Sequence, residues 1–290
     1  MAEDIHTLRS DRLTAVVAAE GAELHSLKNA DGHELVWQAG PQWPRHAPLL
    51  FPIVGRLKND ELIHRKRAYP MKQHGFARDL RFQWVERGPA SCTLVLTDSA
   101  ETRGRYPFAF RLTATFLLAS SGLEVRLEVA NTGEEMLPAS IGAHPAFNWP
   151  LLGGIEKQAY RLTFSEDEPA PIRRLRDGLL RMAPEPTPIE RRTLALSERL
   201  FDDDAVILDQ PRSTSVRYAA DHGPSIEMSW HGFRELGVWS KTGGAPFLCI
   251  EPWHGTASPE DFDGEFAAKP GVMHIARGDT RVLSYRIQVE

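Results

Sequence analysis

With only two cysteines in 290 residues, the chain has no disulfide framework. Cys92 and Cys249 each lie inside an apolar run, which suits reduced, buried thiols and a cytoplasmic protein. No window approaches the roughly 18 consecutive apolar residues of a membrane span, so no membrane partner is expected. Met1-Ala2-Glu3-Asp4-Ile5-His6 also lacks the basic-then-apolar order of an export signal. A net positive charge is lacking as well. The formal net charge is -5, which offers phosphate no attractive field and argues against a nucleic-acid partner. The arginines between Ile172 and Arg192 are interleaved with Asp177, Glu185, Glu190 and prolines, a pattern that predicts a solvated loop. No Gly-x-Ser-x-Gly elbow occurs, and neither cysteine has neighbours that favour a thiolate. Gly153-Gly154 and Gly243-Gly244 stand without the spacing of a phosphate-cradling loop. Covalent acyl transfer and nucleotide binding therefore lose their usual parts.

What is present in abundance is alternation. Phe110 to Phe116, Leu123 to Val129, Tyr160 to Phe164 and Val282 to Ile287 each place apolar and polar residues in turn. A period of two gives a strand with one face on a core, and its recurrence predicts an all-β protein of mainly antiparallel strands. Ser120-Ser121-Gly122, Asn131-Thr132-Gly133 and Asp221-His222-Gly223-Pro224 read as turns between strands, and Asp31-Gly32 as a two-residue hairpin. Helical periodicity is confined to residues 192–201, where one short helix capped near Thr193 or Ser197 is expected. With no break in composition, a single domain over residues 1–290 is expected, the proline-rich stretch 169–188 being an excursion from the sheet.

Three segments lock a titratable side chain between residues that restrict the backbone. They are Gln73-His74-Gly75-Phe76-Ala77-Arg78, Ile141-Gly142-Ala143-His144-Pro145-Ala146-Phe147 and Phe247-Leu248-Cys249-Ile250-Glu251-Pro252-Trp253. In the last, an apolar strand that stops at a proline delivers a carboxylate to the end of a buried element, where it needs a partner or a task. Phe51-Pro52-Ile53-Val54-Gly55-Arg56 likewise finishes an apolar run on a charge, and Arg56 and Arg78 offer planar forks for hydroxyls or carboxylates. A carboxylate and imidazoles are the equipment of general acid–base catalysis.

These segments, in this order, resemble the aldose 1-epimerase (galactose mutarotase-like) family, and more closely its LacX-like branch. The resemblance runs from about Phe51 to Gly278 and implies a galactose mutarotase-like β-supersandwich. It also implies that Glu251 removes the proton from the C1 hydroxyl of a cyclic sugar while His144 protonates the ring oxygen. His74 and Arg56 would hold sugar oxygens, and Arg78 would either touch ligand or position the His74 loop. A further carboxylate that grips hydroxyls maps to Asp202-Asp203-Asp204, with Asp204 preferred, and Trp253 would contribute to a sugar-stacking wall. Pro145-Ala146 and Trp253 depart from the galactose mutarotases themselves. Those departures concern which sugar is bound and leave the acid–base pair intact.

The function so implied is interconversion of the α and β anomers of a small-molecule hexose, with no metal and no organic cofactor. Alternatives are a hexose-6-phosphate 1-epimerase, or a sugar-binding or sensing protein of the same fold. Either a monomer or a homodimer fits the sequence. Eleven histidines show none of the local spacings that zinc sites favour, so no required metal is predicted.

Overall fold

The computed structural model describes residues 4–290, and its strands pair antiparallel throughout the ladders. The largest sheet has nine strands. In spatial order they are Thr193–Ala195, Arg161–Phe164, Ser215–Ala219, Ile226–His231, Thr280–Val289, Gly122–Asn131, Phe110–Ala119, Ser91–Thr97 and Gln83–Arg87. Alternation decides its buried face. Along Phe110–Ala119 the residues Phe110, Leu112, Ala114, Phe116 and Leu118 are buried while Arg111, Leu117 and Ala119 are exposed.

A second sheet of six strands runs Val206–Leu208, Glu235–Trp239, Phe247–His254, Ile141–Ala143, Leu49–Leu50, with Ala146–Asn148 pairing to the first half of Phe247–His254. Its central strand Phe247–His254 is buried along its whole length. A third, three-stranded sheet is formed by Ile5–Arg9, Thr14–Ala18 and Leu24–Lys28. One contiguous cluster of buried apolar side chains, from Leu8 to Ile287, joins residues of all three.

Several local expectations are corrected. The strand that carries Glu251 does not stop at Pro252 but continues to His254. A proline is tolerated mid-strand because the ladder on one side is already interrupted. The Ile250 N–H donates to the Pro145 carbonyl, and Pro252, two residues on, faces the same way, toward the Ala143-His144 step. Residues 192–201 form the strand Thr193–Ala195 and a single 3-10 turn, Glu198–Phe201, rather than one helix. Thr193 is taken up by pairing with Thr163, and Ser197 makes no side-chain cap. Asp31-Gly32 belongs to a longer loop, in which the Asn29 side chain accepts from the Asp31 and His33 N–H groups and the Gly32 N–H donates to the Asn29 carbonyl (3.0 Å), so the turn centres on Ala30-Asp31 rather than Asp31-Gly32. The arginine-rich excursion is tied down. Arg174 is buried and donates to the carbonyls of Asp204 (2.7 Å) and Leu200 (3.0 Å), and the hairpin Leu175–Arg176/Leu179–Leu180 lies against the end of the six-stranded sheet.

Candidate active site

Register in the six-stranded sheet builds the site. Gly142 pairs with Trp253 and Ala146 with Cys249, so His144 falls opposite Glu251 although no ladder bond joins them. On the other side of the same strand, Glu235, Gly237 and Trp239 pair with Trp253, Glu251 and Cys249, and Ile207 pairs with Gly237. Because residues opposite one another in an antiparallel sheet share a face, His144, Glu251, Trp253, Trp239 and Ile207 share one face. Gly142 and Gly237 make that face possible. A Cβ at Gly142 would lie 2.6 Å from the Trp253 ring and one at Gly237 would lie 2.4 Å from it, so the indole occupies space that side chains on both neighbouring strands would fill.

A cavity of about 360 Å³ stands over this face, within the usual range for small-molecule sites. Trp43, Arg45, Gln73, His74, Arg78, Leu175 and Asp204 complete its walls. A smaller cavity, of about 150 Å³ beside Lys269, has no comparable acid–base pair.

At the floor, His144 Nε2 lies 3.2 Å from Glu251 Oε2, with 8% and 1% of the two side chains exposed. Burial pushes the Glu251 carboxyl well above its ordinary range, and the charge of Asp204 adds to this while the Trp253 indole N–H opposes it. Both that N–H and Glu251 Oε2 are buried, and neither completes an aligned hydrogen bond. Burial and the Arg78 charge pull the His144 imidazole the other way, well below its ordinary range. A carboxylic acid and a neutral imidazole in contact hold one proton between them, and moving it gives a carboxylate and an imidazolium. The His144 ring is boxed by Trp43, stacked at 4.9 Å and 28°, and by the edges of Trp239 and His74 at 5.7 Å each.

His74 reaches the site from a strained position. Its φ is +66°, followed by Gly75 at +74°, where a Cβ would meet the Phe51 carbonyl oxygen at 2.2 Å. Reciprocal bonds with Gly55 fix the turn: the His74 N–H donates to the Gly55 carbonyl (2.8 Å), and the Gly55 N–H donates to His74 Nδ1 (3.2 Å). Accepting at Nδ1 places the proton of the neutral ring on Nε2, which makes His74 a donor through that atom. Burial and the neighbouring His144, Arg78 and Arg45 keep it neutral.

The remaining sequence candidates divide. Arg78 lines the cavity, and its guanidinium donates to the Gln73 carbonyl (2.7 Å), so it both faces the site and braces the His74 loop. Burial and the Arg45 charge lower its pKa to about 10. Asp204 lines the cavity, with a φ of +66° and Oδ1 accepting from the Ala205 N–H, whereas Asp203 leans toward Arg181 (3.5 Å). Arg56 is not among the lining residues. Asp60 holds its guanidinium by two bonds of 2.7 Å, and the Asp177 carbonyl takes a third, so the expectation that Arg56 grips sugar oxygens finds no support in the geometry. Trp43, Arg45 and Trp239 were not singled out in the sequence. Trp43-Pro44-Arg45-His46, an aromatic and two bases in a proline-flanked loop, was the available signal.

The profile of the aldose 1-epimerase family matches residues 4–273. The plasmid-borne protein LacX of Lactococcus lactis subsp. lactis is 34% identical over 97% of this chain and 98% of its own. Among solved structures, a galactose mutarotase related enzyme from Lactobacillus acidophilus superposes with a TM-score of 0.92 at 33% identity, covering 99% of this chain and 97% of the other. A galactose mutarotase-like protein from Lactobacillus casei gives 0.91 at 31% identity, covering 99% of this chain and all of the other. The β-supersandwich expected from the resemblance is thus the fold of this protein, and the chain belongs to the aldose 1-epimerase family.

Proposed function

We propose that this protein is an aldose 1-epimerase that interconverts the α and β anomers of an unphosphorylated hexose. The observation that carries the reading is the buried cross-strand pair, His144 Nε2 at 3.2 Å from Glu251 Oε2, on the floor of a cavity of sugar size. With the shared proton on His144, the Glu251 carboxylate takes the proton of the C1 hydroxyl as His144 gives its own to the ring oxygen. The C1–ring oxygen bond breaks and leaves an open-chain aldehyde. Rotation about C1–C2 presents the other carbonyl face, the C5 hydroxyl adds to C1 while returning its proton to His144, and Glu251 returns the first proton to the new C1 hydroxyl. Protons balance over the cycle. Burial raises the Glu251 carboxyl toward neutral pH, which suits a general base, and it lowers the His144 imidazole, which makes the imidazolium a stronger acid toward the ring oxygen. His74 donates from Nε2 to a sugar oxygen, Asp204 accepts from a hydroxyl, and Trp43, Trp239 and Trp253 provide apolar faces for the ring.

A second reading, a hexose 6-phosphate as substrate, is favoured by one observation: Arg45 and Arg78 both line the cavity, and guanidinium forks suit phosphate. NMR exchange spectroscopy on a panel of equilibrated hexoses and hexose 6-phosphates tests both readings. Acceleration of a neutral hexose that falls by about 10²-fold or more in Glu251→Gln and His144→Asn supports the first. Acceleration of phosphosugars alone selects the second, and binding of a sugar without acceleration of any would leave a binding protein.

A further inference from the structure

Glu23, His25 and His46 converge next to the sugar cavity without lining it. Glu23 directly precedes the strand Leu24–Lys28, and His46 arrives on the loop that also carries Trp43 and Arg45. Opposite the consecutive pair Val16 and Val17, this strand presents Ser26 and Leu24, so His25 is the extra residue of a β-bulge, a device that re-aims a side chain. One ligand atom from each of the three residues lies within 4.8 Å of the other two.

We propose that Glu23, His25 and His46 form a binding site for a divalent transition-metal ion of the zinc, cobalt or nickel class, separate from the sugar cavity. Two imidazoles and one carboxylate match the ligand preferences of these ions and are too rich in nitrogen for magnesium or calcium. The spacing is close to that required. Metal–nitrogen bonds of about 2.0–2.1 Å at a tetrahedral angle put neighbouring ligand atoms about 3.3 Å apart. His25 Nε2 is already 3.6 Å from Glu23 Oε2. The two imidazoles stack with centroids 4.1 Å apart and planes 16° from parallel, so ligation requires one ring to rotate out of the stack about its side-chain torsions until both in-plane lone pairs meet at one point.

The carboxylate is prepared for the role. Glu23 Oε1 accepts the N–H groups of His46 (2.7 Å) and Ala47 (2.8 Å), which fixes its orientation and leaves Oε2 facing His25. Such outer hydrogen bonds are the usual support of a ligating carboxylate. Access is retained, since His25 and Glu23 keep 15% and 11% of their side-chain surface exposed. Occupancy is coupled to the sugar site through charge. The Glu23 carboxylate favours protonation of His144, and a bound dication would cancel that support. The metal is therefore expected to slow anomer interconversion rather than to take part in it.

Titrating Co²⁺ into the full-length protein while recording the visible spectrum tests the site. The expected result is a saturable set of ligand-field bands at one equivalent. Their dissociation constant should rise at least about tenfold in Glu23→Gln and in His25→Gln, and the bands should be lost in the His25→Gln/His46→Gln double variant. Circular dichroism of each variant establishes that it folds, and the single variants suffice if the double does not. Absence of saturable binding below 1 mM (roughly the weakest useful affinity), or unchanged affinity in a folded His25→Gln variant, would overturn the proposal. A thiolate-to-cobalt charge-transfer band would overturn it too, because it would place the ion at the other His–Cys–Glu group, His144, Cys249 and Glu251.

Discussion

His144 and Glu251 face each other across two strands at the one step where the ladder between them is broken, and each is followed by a proline. Pro145 and Pro252 have no N–H, so the ladder bonds they would have donated to Ile250 and Ala143, on either side of this pair, are missing, and the two side chains project together onto the cavity face. Burial then works on both groups in opposite directions, leaving an acid and a base in contact with one mobile proton between them.

That environment has a cost in stability with a definite sign. The folded-state pKa of Glu251 is raised, so its contribution is fully present below the unfolded value of about 4.3 and is lost as pH climbs toward the folded value. Glu251→Gln keeps the neutral form at every pH. At pH 8 it should melt about 2–4 °C above the native protein, a gain on the order of 1 kcal/mol, while losing activity. His144 acts on the acid side. Its lowered pKa makes the folded state resist a proton that the unfolded chain binds below about 6.5, so stability falls as pH drops through that value, and His144→Asn should flatten the fall. Calorimetry from pH 5 to 8.5, a range spanning roughly the histidine titration, decides; a Glu251→Gln variant that melts below the native protein at pH 8 would contradict this account.

Gly142 and Gly237 make room for Trp253. Alanine at either position is expected to destabilise by about 1–3 kcal/mol and to displace the indole from beside Glu251. Denaturant melts together with the intrinsic fluorescence of Trp253, referenced to Trp253→Phe, would register both effects. Native stability and spectrum in Gly237→Ala would show that the ring has another place to go.

The strain at His74 can be separated from its chemistry. His74→Gly and His74→Ala both remove the imidazole, and both should raise KM by about tenfold, the loss of one hydrogen bond to substrate. Only glycine relieves the φ of +66°, so His74→Gly should be about 1 kcal/mol more stable than His74→Ala. Equal unfolding midpoints for the two variants would mean that the backbone here is not strained.

Two arginines that look alike in the sequence should behave differently. Arg78→Ala removes a guanidinium from the cavity wall and the brace on the Gln73 carbonyl, and should lower kcat/KM by about 10–100-fold. Arg56→Ala removes a side chain already engaged by Asp60, and should leave kcat/KM within about twofold of native. A large loss in Arg56→Ala would restore the ligand role that its sequence context suggested.

The sequence by itself determined the antiparallel strand class and marked a carboxylate and two imidazoles as candidates for acid–base chemistry. Alternation with a period of two is a direct consequence of strand geometry, so runs such as Phe110 to Phe116 declared antiparallel sheet without help from distant residues. His144 and Glu251 were visible because proline restricts the backbone beside each, a local constraint written in adjacent letters. Which residues surround them was settled only in three dimensions. Trp239 is a site residue because it pairs with Cys249, two positions from Glu251 on the same face, and Trp43 because its loop folds over His144. Arg56 and Arg78 carry the same fork, and only tertiary packing gave one an aspartate and the other the cavity. The cluster of Glu23, His25 and His46 was invisible for the same reason: a bulge and a returning loop assemble it, and neither leaves a spacing rule in the chain.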